Sequence, residues 1–332
     1  MRLCGAVFLA LLTICLGGQP AAAGKRVALV VGNADYQNVP SLPNPANDAS
    51  AMADLFRSAG FDVVEARRNL KNIEIRRALR DFADKARDTD IAVIYFAGHG
   101  LEVDGTNYVV PVDTALERDA DVYDEAISLD RILVAVEPAR RLRLVILDAC
   151  RDNPFIRKMR RTIASRALGR GLASVEASRP NTFIAFAAKE GTTALDGDGR
   201  NSPFTAALLK HLAKPGVDIR KAFGYVRDEV MNATGNKQEP YTTNSLGGDD
   251  VALVPAPTNG ASTGPDVRRD YELAERVGTV EVWDAFIAAN PAGFYSELAK
   301  AQRRKAEAER ADAAEKARAT ARGNGGTSEA SG

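Results

Sequence analysis

Short apolar runs alternate with amphipathic segments from residue 26 to residue 254 of the chain. The apolar runs predict buried strands over residues 26–31, 61–66, 91–100, 142–150 and 182–188, with a closing strand at 251–254. The segments between them predict helices, and their ends are marked by Asn44, Gly60, Ser128, Ser202 and Asp218. Strands that alternate with helices form parallel sheets covered on both faces. The sequence therefore predicts an α/β fold with a mostly parallel central sheet and helices on both faces.

Two chemically reactive side chains end two of these predicted strands. His99, one of two histidines, ends the run that begins at Ile91, and Cys150, one of three cysteines, ends the run that begins at Leu142. Open α/β sheets place their chemistry at the carboxyl ends of their strands. A thiolate attacks a carbonyl carbon well once an imidazole within hydrogen-bond reach has taken its proton. The pair indicates nucleophilic catalysis, and two unrelated core side chains remain the alternative.

Glycines flank the candidate base on both sides. Gly98 and Gly100 permit a sharp turn at His99 because glycine has no Cβ. We expect the amide of Gly100 to face a developing oxyanion.

The first 23 residues have the features of a secretory signal peptide. A basic start is followed by an apolar run that is too short to span a bilayer, and small residues end at Ala23. We expect cleavage after Ala23 and a periplasmic or secreted protein. Lipid attachment at Cys15 is the weaker alternative, because Ile14 stands where a small residue is wanted. In an exported chain, a single remaining cysteine suggests a reactive thiol or an intermolecular disulfide, and an inert buried cysteine is the alternative.

Several motifs resemble those of the caspase-like cysteine peptidases (peptidase C14), and most closely the bacterial metacaspase and orthocaspase branch. In chain order they are Val27–Asn33, Asn44–Ala49, Tyr95–Gly100, Leu147–Arg151 and Asn201–Leu209. The base and nucleophile are separated by the roughly fifty residues expected of caspases. The resemblance covers residues 25–254 and implies a caspase-hemoglobinase fold. It implies that Cys150 is the nucleophile, that His99 is the general base, and that the amides of Gly100 and Cys150 form an oxyanion hole.

Two aspartates bear on substrate preference. Asp148 stands two residues before the nucleophile, where metacaspases that accept arginine or lysine also carry aspartate, and Asp48 matches their second pocket carboxylate. Asp48 also lies one helical turn from Met52, on the predicted sheet-facing side, where an unpaired charge is costly. The resemblance implies an acidic pocket for a basic side chain. Compensation of the helix dipole by Asp48 and loop hydrogen bonding by Asp148 are the alternatives.

A basic segment at 157–180 occupies the place of the loop between the large and small subunits of this family. The large-subunit-like part is 24–156 and the small-subunit-like part is 181–254. Because an enzyme that cuts after arginine or lysine would find substrate bonds in this loop, we expect self-processing there. A solvated loop or an anion-binding patch is the alternative.

No metal site or required cofactor is predicted from the sequence. Some metacaspases are activated by calcium, and the acidic stretches at 113–124 and 196–199 are candidates for holding it. Neither stretch matches a regular calcium-binding loop, so solvated acidic turns are the favoured interpretation.

The remainder of the chain follows a linker at 255–266. An accessory helical segment, a candidate binding region for a protein partner, is predicted at 267–320, and a disordered tail at 321–332. Because the formal net charge is zero, we expect neither a nucleic-acid nor a membrane partner. The function expected is an exported cysteine endopeptidase that cleaves after arginine or lysine. A catalytically silent scaffold that acts through its C-terminal helices is the alternative.

Overall fold

The computed structural model describes residues 24–150, 155, 159–160, 177, 179–189, 194–197, 199–256 and 267–324. The predicted signal peptide, most of the basic segment 157–180 and the side chain of Cys150 lie outside this described part. The chain divides into two compact units, Met1–Pro257 and Thr258–Gly332.

In its described residues, the first unit is built on a main sheet of six strands with a small antiparallel extension. Its strands are β1 (Arg26–Gly32), β2 (Val63–Arg68), β3 (Ile91–Val103), β4 (Thr106–Val109), β5 (Ile127–Ser128), β6 (Leu142–Cys150), β7 (Thr182–Phe186) and β8 (Tyr241–Asn244). The order across the main sheet is β2-β1-β3-β6-β7-β8, and β4 and β5 extend from β3. Neighbours in the main sheet are parallel except β8, which runs antiparallel to β7. The predicted α/β class with a mostly parallel sheet is confirmed.

Helices cover both faces of this sheet. They are α1 (Pro45–Ser58), α2 (Asn72–Ala86), α3 (Val122–Glu125), α4 (Leu129–Val136), α5 (Pro203–His211) and α6 (Ile219–Ala233). Successive strand residues point to opposite faces, so each strand contributes side chains to two separate apolar cores. Ile146 packs in the core with α1, α5 and α6, whereas its neighbour Val145 packs in the core with α2 and α4. This alternation also decides which face each polar strand residue reaches.

The predicted cap residues precede the helices as expected. Ser128, Ser202 and Asp218 each accept a hydrogen bond from a backbone amide in the first turn of α4, α5 and α6. Such caps satisfy amides that a helix leaves without partners. Asn44 also precedes α1, but its side-chain nitrogen donates to the carbonyl of Asp196 at 2.5 Å instead of accepting from the helix.

The strand of the candidate base is longer than the sequence predicted. β3 does not end at His99: it continues to Val103 and turns back into β4. Leu101 and Val103 are buried in a third apolar cluster, so the apolar run resumes after the Gly98-His99-Gly100 segment. The parallel pairing with β6 nevertheless stops at His99.

The predicted closing strand at 251–254 is wrong. The edge of the sheet is β8 at Tyr241–Asn244, and only Ala252 makes an isolated bridge, to Asp218. Val251 and Leu253 are buried by packing in the core with α6 rather than by strand pairing. The prediction failed because β8 is a polar, half-exposed edge strand, whereas the apolar residues that follow it fill a core.

The described residues of the second unit, 267–324, form three helices. They are α7 (Val267–Val277), α8 (Val280–Ala289) and α9 (Phe294–Asn324). Their shared core is centred on Tyr271, Trp283 and Phe286. The last helix runs to Asn324, past residue 320, where we expected it to end. Among the described residues, no helix is long and apolar enough to cross a membrane.

Candidate active site

His99 and Cys150 occupy matching positions on neighbouring strands. β3 and β6 pair in parallel from Ile91 alongside Leu142 to His99 alongside Cys150, which is the last pair in the register. The sheet therefore brings together the two residues that the sequence singled out. The two residues are 51 positions apart in the chain, and the residues between them form the β4–β5 extension and α4, which connect the two neighbouring strands.

The imidazole of His99 is buried and contacts the segment after β1. Its exposed fraction is 6%. The Nε2 atom lies 3.4 Å from the carbonyl oxygen of Pro40. A carbonyl only accepts, so Nε2 carries the proton in this contact and Nδ1 is the basic nitrogen. Nδ1 is buried and has no hydrogen-bond partner among the described residues.

Burial lowers the pKa of His99 below its ordinary value, because the charged imidazolium is poorly solvated there. The hydrogen bond to Pro40 and the negative charge of Asp196 oppose this effect but are smaller. His99 is therefore neutral at neutral pH, which is the state that a general base requires.

The amide of Gly100 is directed away from the antiparallel extension. Val110 donates its amide to the carbonyl oxygen of His99, so His99 and Val110 form a hydrogen-bonded pair. Pairs along an antiparallel ladder alternate, so Gly100 and Val109 form a non-hydrogen-bonded pair whose amides point outward. The Gly100 amide thus faces the side of β3 on which β6 ends, where the oxyanion hole is predicted.

Asp148 points to the sheet face covered by α1 and α5. Its neighbour Ile146 packs on this face, and the period of two along β6 carries Asp148 there as well. Three hydroxyl groups donate to its Oδ2 atom: those of Ser202 at 2.5 Å, Thr205 at 2.8 Å and Tyr95 at 3.3 Å. Asp148 is therefore held by the start of α5 and by the adjacent strand β3.

Asp48 approaches the same point from the first turn of α1. Its exposed fraction is 2%, and its Oδ1 atom accepts from the side-chain amide of Asn201 at 2.8 Å and from the backbone amide of Ser202 at 3.1 Å. Ser202 thus contacts both aspartates, one through its amide and one through its hydroxyl. The structure brings together both carboxylates that the sequence assigned to a pocket.

The two carboxyl groups are harder to ionise than free carboxyls. Burial is the main cause in both, and the charge of Asp148 adds to it at Asp48, whose pKa is raised to about 7. The pKa of Asp148 is also raised by burial, although its three hydroxyl donors oppose the shift. The charge of Asp196 raises both values further. Within the described part of the chain, no lysine or arginine forms an ion pair with either group.

Sequence reasoning missed the residues that hold this pocket together. Tyr95 and Thr205 lie inside an apolar strand and an apolar helix turn, where a hydroxyl needs a polar partner, and that was the available signal. Gln238 is fully buried: its oxygen accepts from the amide of Leu195 and its nitrogen donates to the carbonyl of Ala187. It connects the end of β7 with the loop that carries Asp196.

The acidic stretch at 113–124 does not converge on a common point in the structure. Asp113 accepts from the backbone amide of Asn72, and Asp121 forms an ion pair with Arg118. The described residues contain no group of three or more histidine, cysteine, aspartate or glutamate side chains arranged to hold a metal ion. Asp198, in the second acidic stretch, lies outside the described residues.

Comparison with known proteins finds a family model and several relatives that match this chain. Residues 25–249 match the family model described as the caspase domain of peptidase C14. The human "Mucosa-associated lymphoid tissue lymphoma translocation protein 1" is 32% identical over 136 residues, which are 41% of this chain and 16% of that protein. "Cell death protein 3" of Caenorhabditis remanei is 26% identical over 133 residues, which are 39% of this chain and 24% of that protein. The matches thus cover less than a quarter of each of these relatives.

A caspase structure also resembles the chain. The crystal structure of caspase-1 from Spodoptera frugiperda superposes with a TM-score of 0.47 and 17% sequence identity, covering 71% of this chain and 92% of that one.

Proposed function

The chain belongs to the caspase-domain family of cysteine peptidases, and we propose that it is an endopeptidase that cleaves after arginine or lysine. Cys150 is the nucleophile and His99 is the general base in this proposal. The amides of Gly100 and Cys150 stabilise the oxyanion, and Asp48 and Asp148 bind the basic side chain that precedes the cleaved bond.

The environment of His99 supports its role as the base. The contact of Nε2 with Pro40 leaves Nδ1 to take the proton of the Cys150 thiol. The thiolate attacks the carbonyl carbon of the substrate, and the negative charge that develops on oxygen is met by backbone amides. The protonated imidazole then donates its proton to the leaving amine, and water hydrolyses the thioester in a second step.

The carboxylates of Asp48 and Asp148 are the observation that carries the specificity proposal. Their hydrogen bonds from the protein fall on one oxygen of each group, Oδ1 of Asp48 and Oδ2 of Asp148. The other oxygen of each accepts from no described residue. Two buried carboxylates without a cationic partner are costly, and a bound guanidinium or ammonium group offsets that cost.

Fluorogenic peptides that end in arginine, lysine or aspartate test this proposal. Wild type is expected to hydrolyse the arginine and lysine peptides, and Cys150→Ala is expected to hydrolyse none. The assay is run with calcium and with a chelator, because we propose that no cofactor is required. Activity after aspartate alone contradicts the pocket assignment. Absence of activity on every peptide supports a silent scaffold instead.

Export and self-processing are parts of the same proposal. Periplasmic or secreted location follows from the signal-peptide features of residues 1–23 and is tested by cell fractionation with N-terminal sequencing. Self-processing within 157–180 follows from the basic residues there and from the proposed preference. Purified wild type is expected to show a cut in this segment that Cys150→Ala lacks. An uncut wild-type protein that hydrolyses the peptides contradicts a requirement for processing.

A further inference from the structure

Tyr36 contacts the candidate base, His99, through both its ring and its hydroxyl group. It lies in the segment between β1 and α1 and is 8% exposed. Its ring packs on the imidazole of His99 with 4.6 Å between the ring centroids and 51° between the planes. Its hydroxyl oxygen accepts the backbone amide of His99 at 2.7 Å. The same residue therefore contacts both the main chain and the side chain of the base.

The hydroxyl of Tyr36 also ties this contact to the antiparallel extension. It donates to the carbonyl oxygen of Val110 at 3.3 Å, and Val110 in turn donates its amide to the carbonyl of His99. In a regular ladder the amide of His99 would donate to Val110 directly. The tyrosine oxygen is inserted into this position, so it holds β3 at the point where parallel pairing changes to antiparallel pairing.

The close approach of this oxygen explains why residue 98 is glycine. A Cβ atom at Gly98 would lie 2.5 Å from the Tyr36 oxygen, and the backbone there has a φ of +154°. Any larger residue at position 98 would displace either the tyrosine or the base. The position of Tyr36 against His99 therefore depends on the absence of a side chain at Gly98.

We propose that Tyr36 is a positioning residue for His99, which it holds through both the main-chain amide and the imidazole face. The inference rests on the proposed function, since it assumes that His99 is the base. The ring and hydroxyl contacts named above are with His99 and Val110, so we assign Tyr36 to the base rather than to binding of the basic side chain. Its effect falls on the orientation of the imidazole, to which proton transfer is sensitive.

Tyr36→Phe, which keeps the ring and removes the hydroxyl, tests the proposal. We expect kcat for the arginine peptide to fall at least about tenfold while KM stays within about twofold, because a displaced base slows chemistry and leaves binding intact. Tyr108→Phe is the matched control: Tyr108 is 7% exposed and belongs to the same apolar cluster, but it lies on β4. Its kcat is expected to equal that of wild type. Unchanged kcat in folded Tyr36→Phe overturns the proposal.

Alkylation of Cys150 by iodoacetamide gives a readout that does not need peptide hydrolysis. The rate is followed against pH by mass spectrometry of the Cys150 peptide. A thiol that has lost its base titrates near the ordinary value of about 8.5. We expect the profile of Tyr36→Phe to move toward that value and the profile of Tyr108→Phe to match wild type. If wild type hydrolyses no peptide, the proposed function fails, and the alkylation profiles still decide the role of Tyr36.

If Tyr36→Phe does not fold, Gly98→Ala is used as the test variant in its place. Its methyl group meets the Tyr36 oxygen, so the same loss of kcat with unchanged KM is expected. Where both variants fold, the double variant is expected to be no slower than the slower single variant, because both changes break one contact. Full activity of Gly98→Ala, or losses that multiply in the double variant, overturns the proposal.

Discussion

The negative charge of Asp148 raises the pKa of Asp48, although the two residues lie on different elements of the fold. Asp148 is on the central strand β6 and Asp48 is in the first turn of α1. The backbone amide and the hydroxyl of Ser202 hold one carboxylate each. Folding thus gathers two carboxyl groups whose negative charge is unfavourable in the absence of a cationic partner.

Asp48→Asn is expected to weaken cleavage after arginine strongly and yet to stabilise the protein at high pH. Asparagine keeps an Oδ1 acceptor for Asn201 and Ser202 but carries no charge. The folded-state pKa of Asp48, about 7, lies above its unfolded value, so the folded state binds more protons between about pH 4 and 7. The free energy of unfolding of wild type therefore falls as pH rises through this window.

The stability gain from Asp48→Asn should accordingly grow by about 4 kcal/mol between pH 4 and pH 8. Thermal unfolding of both proteins at the two pH values measures this difference. Equal pH dependence in the two proteins contradicts the placement of the charge. We expect kcat/KM for the arginine peptide to fall at least about a hundredfold, as for other buried charge partners.

Hydrolysis of an arginine peptide should depend on pH through the pocket as well as through the base. Protonation of Asp48 below about pH 7 removes a charge that we propose binds the basic side chain, so kcat/KM should fall as pH drops through that value. Burial places the pKa of His99 below its ordinary value, so the base loses function only at lower pH. A peptide that ends in citrulline, the neutral isostere of arginine, should lack the fall in kcat/KM near pH 7 and keep the one at lower pH. Identical profiles for the two peptides would show that the pocket charge is not involved.

Ser202→Ala should reduce both stability and substrate binding, whereas Ser128→Ala should reduce only stability. Each serine caps a helix through its hydroxyl, Ser202 on α5 and Ser128 on α4, and loss of such a cap costs about 1 kcal/mol. Only Ser202 also donates to Asp148. We expect a raised KM for the arginine peptide in Ser202→Ala alone, measured beside urea unfolding of both variants. A similar rise in Ser128→Ala would assign the effect to general destabilisation.

Trp283→Ala should destabilise the C-terminal helical unit without changing peptide hydrolysis. Trp283 is 2% exposed and packs against Tyr271 and Phe286, and truncation of a buried tryptophan costs about 3–5 kcal/mol. The residues that we propose for catalysis all belong to the other unit. Circular dichroism and limited proteolysis report the loss of helix, and kcat/KM should equal that of wild type. A large loss of kcat/KM would show that catalysis depends on this unit.

The fold was predictable where local chemistry and periodicity agree. The buried parallel strands are continuous apolar runs, and the starts of three helices are marked by the N-cap residues Ser128, Ser202 and Asp218. β8 was not predictable in this way, because Tyr241–Asn244 is polar and is held as a strand by its neighbour β7. The continuation of β3 beyond His99 was hidden by two glycines, which resemble a turn in sequence.

The site was predictable only in part for a similar reason. The positions of His99, Cys150, Asp48 and Asp148 could be singled out by rarity, by strand position and by family resemblance. The roles of Tyr36, Thr205 and Gln238 depend on which segments meet in space. Each of them contacts residues at least 43 positions away in the chain, and a local sequence pattern cannot predict such a contact.

The parallel pairing of β6 with β7 has a consequence for any cut within 157–180. The two strands lie on opposite sides of that segment in the chain, yet they are hydrogen-bonded neighbours from Arg143 alongside Thr182 to Leu147 alongside Phe186. Ser202 on one side also donates to Asp148 on the other. A nicked protein would therefore elute as a single particle on a sizing column, and its two fragments would part only under denaturing conditions.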